Sequence, residues 1–316
     1  MIRYGILSTS SIAPRFIAAV RESGAGEIAA LSSRTLEKAA EKAAEWRIPR
    51  AYGCHMALLE DPEVDAVYIS TVNAQHEPWA REALLHGKHV VCEKPCTTSA
   101  AGTKALFELA AERGLFLMEA QKMLFLPAVL EVRRWIDSGA LGTVRMAEFN
   151  HSFDASYNTW MYDASAGGGP LLSSAIYVIE LLQFLFGCSV AGYHGFRTVH
   201  PGTDVEEQYV LSGRMESGVL FSAKNSTVAP LENRAVIYGE QGWAELPDYW
   251  KARCAVLHRK DGTEERAEFP CAHELIYEAR HIRDCLEKGL LQSPVVTGDF
   301  SVRAIRTLEQ IRNSWT

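Results

Sequence analysis

The sequence predicts an α/β protein with two domains. The first is an N-terminal Rossmann domain with a doubly wound parallel sheet, and the second is a C-terminal α+β domain with an open, mostly antiparallel sheet. Over the first 120 residues short apolar runs alternate with helical patterns, which is typical of βαβ units. After Pro127 strand-like runs follow one another directly. A length of 316 residues fits about two domains, which we place at 1–120 and 121–316.

Apolar runs in the first domain predict buried strands with helices between them. The strand runs are IRYGIL, EIAALSS, AVYIST, HVVCEKP and LFLMEA, and the helical patterns include TLEKAAEKAAEW and TSAAGTKALFELAAERG. Because βαβ crossovers are right-handed, the carboxyl ends of parallel strands lie at one edge of the sheet, where ligands bind. We therefore expect binding residues in the loops that follow these strands.

The second domain combines helices with a series of strands. A helix at AVLEVRRWIDSG leads into VRMAEFNHSF and then into the apolar run LLSSAIYVIELLQFLFG. That run has 17 residues and is interrupted by serine, glutamate and glutamine, so it predicts a buried helix and not a membrane span. Predicted strands follow at QYVLSGRM, GVLFSAKN, RAVIYGE, GWAELP and KARCAVLHR, and two helices close the chain.

Composition excludes several classes of partner and of site. The net charge is −7, so no global positive field favours nucleic acid or an anionic membrane. Seven scattered cysteines without a C-x-x-C pair favour reduced thiols and a cytoplasmic protein. The N-terminus lacks the apolar run of a secretory signal. No histidine or cysteine spacing indicates a metal site.

The first strand-to-helix turn, STSSIA, is a candidate pyrophosphate loop in which serines stand where glycines are usual. Ser8, Ser10 and Ala13 occupy the three glycine positions, and small side chains still permit a close approach of the backbone to phosphate. The amides that open the next helix supply an anion site. An ordinary strand-to-helix turn is the alternative. The predicted cofactor-binding residues of this loop are Ser8, Thr9, Ser10, Ser11 and Ile12.

The end of the second strand predicts which dinucleotide binds. Ser33 and Arg34 lie about 20 residues after the loop, where an acidic residue would hold the ribose 2′-hydroxyl of NAD. An arginine can meet the 2′-phosphate of NADP instead, and Lys38 can add to the same pocket. We therefore expect NADP to be preferred, with NAD possible. The alternative is that Ser33 caps the helix and Arg34 is solvated.

Two further loops follow predicted strands and carry polar residues. Thr71, Val72, Asn73 and His76 form the turn after AVYIS and can contact a cofactor, although His76 taken alone fits a structural role better. The next strand ends in EKP, and Glu93 and Lys94 there are costly to bury unless they are exposed or paired. We predict that both also contact the cofactor.

Lys94 and Tyr177 are the candidate catalytic residues. A lysine directed at a nicotinamide and a substrate carbinol can polarise the oxygen and assist proton transfer. Tyr177 lies early in the apolar helix, and a buried phenol requires a hydrogen-bond partner, which a substrate oxygen near Lys94 would supply. The alternatives are a surface ion pair for Lys94 and a core tyrosine bonded to a carbonyl for Tyr177.

Taken in order, the motifs STVNAQH, EKP, MEAQKMLFLP and GGG resemble the Gfo/Idh/MocA oxidoreductase family, in particular its dihydrodiol dehydrogenase and sugar dehydrogenase branch. The resemblance covers essentially the whole chain. It implies a Rossmann domain followed by an open-sheet domain that mediates dimers or tetramers, and NAD(P)-dependent oxidation or reduction of sugars and related alcohols. It also implies that Lys94 lies at the catalytic centre and that Tyr177 is the acid/base.

Two positions depart from the family pattern. The glycine loop carries Ser8 and Ser10, and Ser173 replaces an aspartate that often stands four residues before the acid/base. We therefore expect a substrate that is less like a polyol or that is held differently.

Three functional hypotheses follow. The first is an NADP-dependent dehydrogenase or reductase acting on a sugar, anhydro-sugar or diol. The second is a glycosidase or lyase that holds and recycles its dinucleotide. The third is a dinucleotide sensor without turnover, which the altered loop would explain.

Overall fold

The computed structural model describes residues 1–155 and 159–315. This part of the chain forms two compact units. The first comprises Met1–Gln121 and His273–Val302, and the second comprises Lys122–Ala272 and the chain from Arg303 onward. The pattern of the sequence did not indicate that 273–302 folds with the first unit. The functional division into 1–120 and 121–316 stays a prediction.

The first unit contains a six-stranded sheet flanked by helices. Its strands are β1 (Arg3–Leu7), β2 (Glu27–Ser32), β3 (Arg50–Tyr52), β4 (Ala66–Ile69), β5 (His89–Glu93) and β6 (Leu117–Ala120). Its helices within the first 121 residues are α1 (Ala13–Ser23), α2 (Leu36–Trp46), α3 (His55–Leu59), α4 (His76–Leu85) and α5 (Ala100–Arg113).

The strand order is β3-β2-β1-β4-β5-β6, and the paired strands are parallel. This is the order of a doubly wound dinucleotide-binding sheet, in which the direction of winding reverses between β1 and β4. The predicted Rossmann architecture is therefore confirmed. The sequence reading missed β3, because three partly exposed residues form no apolar run.

Aromatic packing fixes α1 against the sheet. The Phe16 ring of α1 stacks on the Tyr68 ring of β4, with centroids 3.8 Å apart and planes 1° from parallel. The Tyr4 ring of β1 meets Phe16 edge-on at 5.7 Å. All three side chains are fully buried, and such ring pairs add stability beyond their buried area. This packing holds the start of α1 at the carboxyl edge of the sheet.

The second unit contains an eight-stranded sheet. Its elements up to residue 272 are α6 (Pro127–Asp137), β7 (Val144–Ser152), α7 (Ile176–Phe186), β8 (Val190–Val199), β9 (Glu206–Met215), β10 (Leu220–Ser226), β11 (Arg234–Gly239), β12 (Gly242–Pro247), β13 (Cys254–Arg259) and β14 (Glu264–Glu268). Helix α8 (Leu275–Glu287) packs against α1 in the first unit, and α9 (Gly298–Ser314) begins in the first unit and ends in the second.

The order of the second sheet is β14-β13-β12-β11-β7-β10-β9-β8. Of the strand pairs described there, β7 and β10 run parallel and the others run antiparallel. The predicted mostly antiparallel sheet is confirmed. The sequence reading missed β8 and β14, the two edge strands, because exposed and charged residues alternate along them and leave little apolar signal.

The apolar helix of the second unit is a core element. Nine of the eleven residues of α7 are buried. The run 164–186 is long and apolar enough to cross a membrane, but 83% of its most apolar window is buried inside the protein. The expectation of a buried helix is therefore confirmed.

Candidate active site

The loop between β1 and α1 keeps a glycine-like backbone although serine occupies it. Ser8 has a φ of 111°, in the region that glycine adopts freely and other residues avoid. Its N–H donates a hydrogen bond to the carbonyl oxygen of Ser32 at 3.2 Å, which ties the loop to the end of β2. Strain of about 1–3 kcal/mol at such a residue persists where the surrounding structure imposes it, and it clusters at ligand sites. The serine therefore preserves the tight turn of the dinucleotide loop.

The loop that leads into α1 is suited to an anion. The N-cap residue Ile12 makes no side-chain capping bond. The amides of the first turn of α1 already donate to the carbonyls of Ser10 and Ile12, and Pro14 has no N–H, so an anion would meet the loop amides that precede α1. Thr9 and Ser11 flank this turn. The Ser10 hydroxyl donates to the Ser70 hydroxyl at 2.7 Å and joins the loops after β1 and β4. The predicted pyrophosphate cradle is thus physically suitable for its ligand.

The end of β2 carries the residues expected to read the ribose. Ser33 is buried, and its N–H donates to the Tyr52 carbonyl at 3.1 Å. Thr35 caps α2, because its hydroxyl accepts a hydrogen bond from the Lys38 N–H at 3.3 Å. The alternative that Ser33 is the helix cap is therefore wrong. Arg34 is exposed and can reach a phosphate in solvent.

Two neighbouring groups modify this corner. The Lys38 ammonium donates to the Glu41 carboxylate at 3.0 Å, so a phosphate must compete with that carboxylate for it. His55 is hydrogen-bonded through Nδ1 to the Ser32 hydroxyl at 2.8 Å. Burial, and to a lesser extent the nearby Arg34 guanidinium, together lower the pKa of His55 to about 4. A neutral His55 therefore lines the β2 corner at physiological pH.

The loop after β4 contains a hydroxyl that the protein leaves unsatisfied. Thr71 Oγ1 is buried and has no hydrogen-bond partner. In folded proteins the large majority of buried side-chain polar atoms make at least one hydrogen bond. Val72 precedes a single turn that begins at Asn73, whose side chain is buried. A bound cofactor fits this loop, because it would supply the partner that Thr71 lacks.

His76 joins this loop to the EKP loop. Its two ring nitrogens face the carbonyl oxygens of Pro95 at 2.8 Å and Thr71 at 3.1 Å. The ring is almost fully buried, and burial lowers its pKa. This geometry gives His76 a positioning role. Its direct contact with a cofactor stays a prediction.

Glu93 braces the turn that carries Lys94. The Tyr68 hydroxyl donates to Glu93 Oε1 at 2.5 Å, and the Lys94 N–H donates to Glu93 Oε2 at 3.2 Å. The Lys94–Pro95 peptide bond is cis. The carboxylate thus fixes the backbone on which the Lys94 side chain stands, at the same sheet edge as the three loops above.

In the second unit Tyr177 lies in a cluster of aromatic and basic side chains. The rings of Tyr177 and His151 stack with centroids 6.4 Å apart, and the Lys122 ammonium lies 6.0 Å from the Tyr177 ring centroid. His151 stacks on Trp250 at 3.9 Å and is hydrogen-bonded through Nδ1 to the Tyr249 hydroxyl at 3.3 Å. We refer to these five residues as the Tyr177 cluster.

The segment before Tyr177 is anchored by glycines and a buried carboxylate. Gly169 has a φ of 100°, and a Cβ there would overlap the Glu206 carboxylate. Glu206 Oε1 accepts a hydrogen bond from the Leu171 N–H at 2.8 Å, and burial raises the pKa of Glu206. A π-helical turn at Leu171–Ala175 follows, and such turns often mark functional sites. The Ser173 hydroxyl donates to the Gly169 carbonyl at 2.8 Å.

Sequence reasoning missed four members of the Tyr177 cluster: Lys122, His151, Tyr249 and Trp250. Lys122 lies in MEAQKMLFLP at the domain junction. Its side chain is buried, and no residue pattern around it predicted that burial. His151 interrupts the apolar alternation of VRMAEFNHSF, and that interruption could have identified it as a candidate site residue. Trp250 lies in a single turn after β12 and carries no motif.

These features define a dinucleotide-binding protein with a second unit that holds a phenol, an imidazole and an ammonium close together. A model of the oxidoreductase family with an NAD-binding Rossmann fold matches residues 2–121, and the GFO/IDH/MocA C-terminal domain model matches residues 129–245. The chain belongs to the Gfo/Idh/MocA oxidoreductase family, and its first domain binds a nicotinamide dinucleotide. The resemblance inferred from the motifs is confirmed.

Related proteins match nearly end to end. The trans-1,2-dihydrobenzene-1,2-diol dehydrogenase of Mus musculus is 32% identical over 330 residues, covering 99% of this chain and 96% of that protein. The Bos taurus enzyme of the same name is 31% identical over 328 residues, with the same coverage. An aldose-aldose oxidoreductase from Caulobacter crescentus, complexed with glycerol, superposes with a TM-score of 0.89 at 24% identity and covers 99% of this chain and 97% of its own.

A second solved structure that superposes is a 3-ketoreductase from Actinomadura kijaniata in complex with NADP and TDP-benzene. It superposes with a TM-score of 0.90 at 24% identity, over 99% of this chain and 97% of its own. At this level of identity the two superpositions establish the shared fold.

The buried His55 makes the first unit sensitive to acid. The unfolded chain takes up a proton near pH 6.5, whereas folded His55 resists protonation until about pH 4. Below pH 6.5 the unfolded state therefore binds a proton that the folded state does not. The free energy of unfolding is highest above pH 6.5 and falls as pH decreases towards 4, by about 2 kcal/mol after allowance for solvent around the ring. We expect His55→Asn to reduce this loss in urea titrations at pH 7 and pH 4.5. The exposed His194→Asn is the control, and equal pH dependence of all three proteins would contradict the assignment.

Proposed function

We propose that the protein is an NADP-preferring dehydrogenase or reductase that acts on a sugar, anhydro-sugar or diol. Hydride passes between C4 of the nicotinamide and a carbinol or carbonyl carbon, a reaction whose difficult chemistry the cofactor supplies. The observation that carries the proposal is the Ser8 backbone, which has a φ of 111° beside the uncapped start of α1. The names of the curated relatives and the NADP-bound neighbour support the substrate class and the cofactor.

In this proposal the four loops at the carboxyl edge of the first sheet hold the dinucleotide. The amides at Ser10, Ser11 and Ile12 receive the pyrophosphate, and Arg34 receives the 2′-phosphate with help from Lys38. Thr71 and Asn73 bind nearer the nicotinamide. The strained Ser8 supports dinucleotide binding, which the dehydrogenase and the sensor hypotheses both require, so the turnover assays below separate the two.

The proton passes through Tyr177. Its phenol exchanges a proton with the substrate oxygen as that oxygen becomes a carbonyl or a hydroxyl. The Lys94 ammonium holds the substrate oxygen and favours the phenolate through its charge. The Lys122 ammonium, 6.0 Å from the Tyr177 ring centroid, adds positive charge on the side of the second unit. The proposal requires Lys94 and Tyr177 to face the same nicotinamide.

Replacing either catalytic residue tests this mechanism. We expect Lys94→Ala and Tyr177→Phe to bind NADPH normally and to lose at least about 100-fold in kcat, the typical contribution of general acid–base catalysis. Nicotinamide fluorescence measures binding, and absorbance at 340 nm measures turnover. Lys104→Ala, an exposed lysine paired with Glu108 on α5, is the control. Unchanged turnover in Lys94→Ala would remove the lysine from the mechanism.

Arg34 tests the choice of cofactor. A charge-assisted hydrogen bond to a phosphate contributes about 1.5–3 kcal/mol, so we expect Arg34→Ala to weaken NADPH binding about 10- to 100-fold. NADH binding should change less than twofold, because NADH has no 2′-phosphate. Fluorescence titrations with both nucleotides measure the difference. Arg113→Ala, at the last turn of α5, is the matched control, and equal weakening of both nucleotides would contradict the role of Arg34.

We also propose that the protein is cytoplasmic and forms a homodimer or tetramer through the outer face of the second sheet. Apolar side chains stand exposed on five different strands of that face: Phe196 (72% exposed), Val210 (50%), Leu220 (48%), Met146 (39%) and Trp243 (39%). Strand register places Phe196 beside Val210 and Leu220 beside Met146. Lys224 pairs with Val210 and Arg214 with Leu220, so charged side chains separate the two apolar pairs. Exposed apolar groups spread over one sheet face in this way mark an interaction surface, and we propose a second copy of the chain as its partner.

The oligomer is tested by light scattering after size-exclusion chromatography. We expect the wild-type chain to elute with at least twice the mass of one chain. Phe196→Asp should shift it to the monomer, because the substitution buries an unpaired charge in the interface. Leu36→Asp, on exposed α2, should leave the mass unchanged. A monomeric wild type would contradict the proposal.

A further inference from the structure

Asn225 is a buried amide without a partner. Its side chain on β10 is 2% exposed, and neither Nδ2 nor Oδ1 makes a hydrogen bond. Folded proteins pair nearly all buried side-chain polar groups, and an amide has two donors and an acceptor to satisfy. Asn225 ends the predicted strand GVLFSAKN and has no part in the mechanism proposed above.

Strand register places Asn225 next to the Tyr177 cluster. It pairs with His151 on the parallel strand β7 and with Tyr209 on the antiparallel strand β9. Side chains of register partners project from the same face of a sheet, with Cβ atoms about 5 Å apart. Tyr209 is also buried, and its hydroxyl likewise has no partner. A row of three polar side chains therefore crosses the inner face of this sheet.

His151 links this row to the catalytic tyrosine. Its ring stacks on Tyr177 at 6.4 Å and on Trp250 at 3.9 Å. The segment Leu171–Ala175, which leads into the helix of Tyr177, packs against β10. In that segment Ser174 Oγ is also buried and without a partner. Unsatisfied donors and acceptors on β9, on β10 and in this segment thus lie in the same compact unit as Tyr177.

The chemistry of these groups selects a neutral ligand. An amide both donates and accepts, as does a phenol hydroxyl, so the pair matches a hydroxyl group, which also does both. Neither Asn225 nor Tyr209 carries a charge that would attract a carboxylate or phosphate. Trp250 adds an aromatic surface that can pack against a carbon ring.

We propose that Asn225 and Tyr209 form a subsite for a second hydroxyl group of the substrate, while the reacting carbinol lies at Tyr177. The subsite rests on the proposed function and names its substrate class more closely: an uncharged ring compound with at least two hydroxyl groups. Asn225 determines specificity, because an alcohol with a single hydroxyl leaves the buried amide unpaired in the complex.

The test compares substrates that differ by one hydroxyl. The pairs are trans-cyclohexane-1,2-diol with cyclohexanol, and D-glucose with 2-deoxy-D-glucose, each oxidised with NADP⁺. We expect Asn225→Leu to lower kcat/KM for the hydroxyl-rich member about 10-fold, the effect of one hydrogen bond, and for its partner less than twofold. Tyr209→Phe should act in the same direction. Tyr238→Phe removes a hydroxyl that donates to Glu148 on the outer face and is the matched control.

Thermal unfolding separates this role from a structural one. Replacing an unpaired buried amide by an apolar side chain of similar size is neutral or stabilising, so the unfolding midpoint of Asn225→Leu should not fall. A lower midpoint, or equal losses of kcat/KM on both members of a pair, would overturn the subsite.

The subsite and the proposed function fail in different ways. If the wild type oxidises neither pair while binding NADPH, the proposed function fails. The subsite is then judged by quenching of tryptophan fluorescence on addition of the diol with NADP⁺ present. Quenching of the wild type that Asn225→Leu loses supports the subsite. The absence of quenching in the wild type, or equal quenching in both proteins, overturns it.

Discussion

The parallel alignment of the first sheet is the constraint on which the candidate cofactor site depends. Because β1, β2, β4 and β5 run in the same direction, the loops that follow them meet at one edge. Hydrogen bonds then join neighbouring loops: Ser8 to Ser32, and Ser10 to Ser70. Each loop is short and polar, and none would hold a dinucleotide alone. The sheet supplies their common position, and the bonds between loops supply rigidity.

The same edge tolerates a sequence that departs from the usual glycine loop. Ser8 takes up the positive φ of a glycine, and the cost is offset by its hydrogen bond to β2 and by the aromatic packing that fixes α1. The backbone amides of the loop before α1 are present whatever side chains the loop carries. A dinucleotide loop can therefore lose its glycines while its backbone conformation is retained.

Both units leave buried polar groups unpaired where a ligand would bind. Thr71 in the first unit and Asn225 and Tyr209 in the second have atoms without hydrogen-bond partners. Each lowers the stability of the free protein, because water has been removed and nothing has replaced it. A cofactor hydroxyl or a substrate hydroxyl would restore the missing bonds. Buried donors and acceptors without partners therefore favour ligands that can make the missing hydrogen bonds.

The sequence by itself determined that the chain forms one parallel and one mostly antiparallel sheet, and it located the loops of the candidate cofactor site. Strand and helix periodicity is local, and in a parallel sheet the end of each strand is a known position, so Arg34, Thr71 and Lys94 could be found as loop residues. Edge strands β3, β8 and β14 escaped detection, because their exposed residues leave no apolar pattern. Tertiary structure alone brought His151, Trp250 and Lys122 to Tyr177, and left Asn225 without a partner. These residues come from distant segments, and only strand register and packing decide which side chains meet.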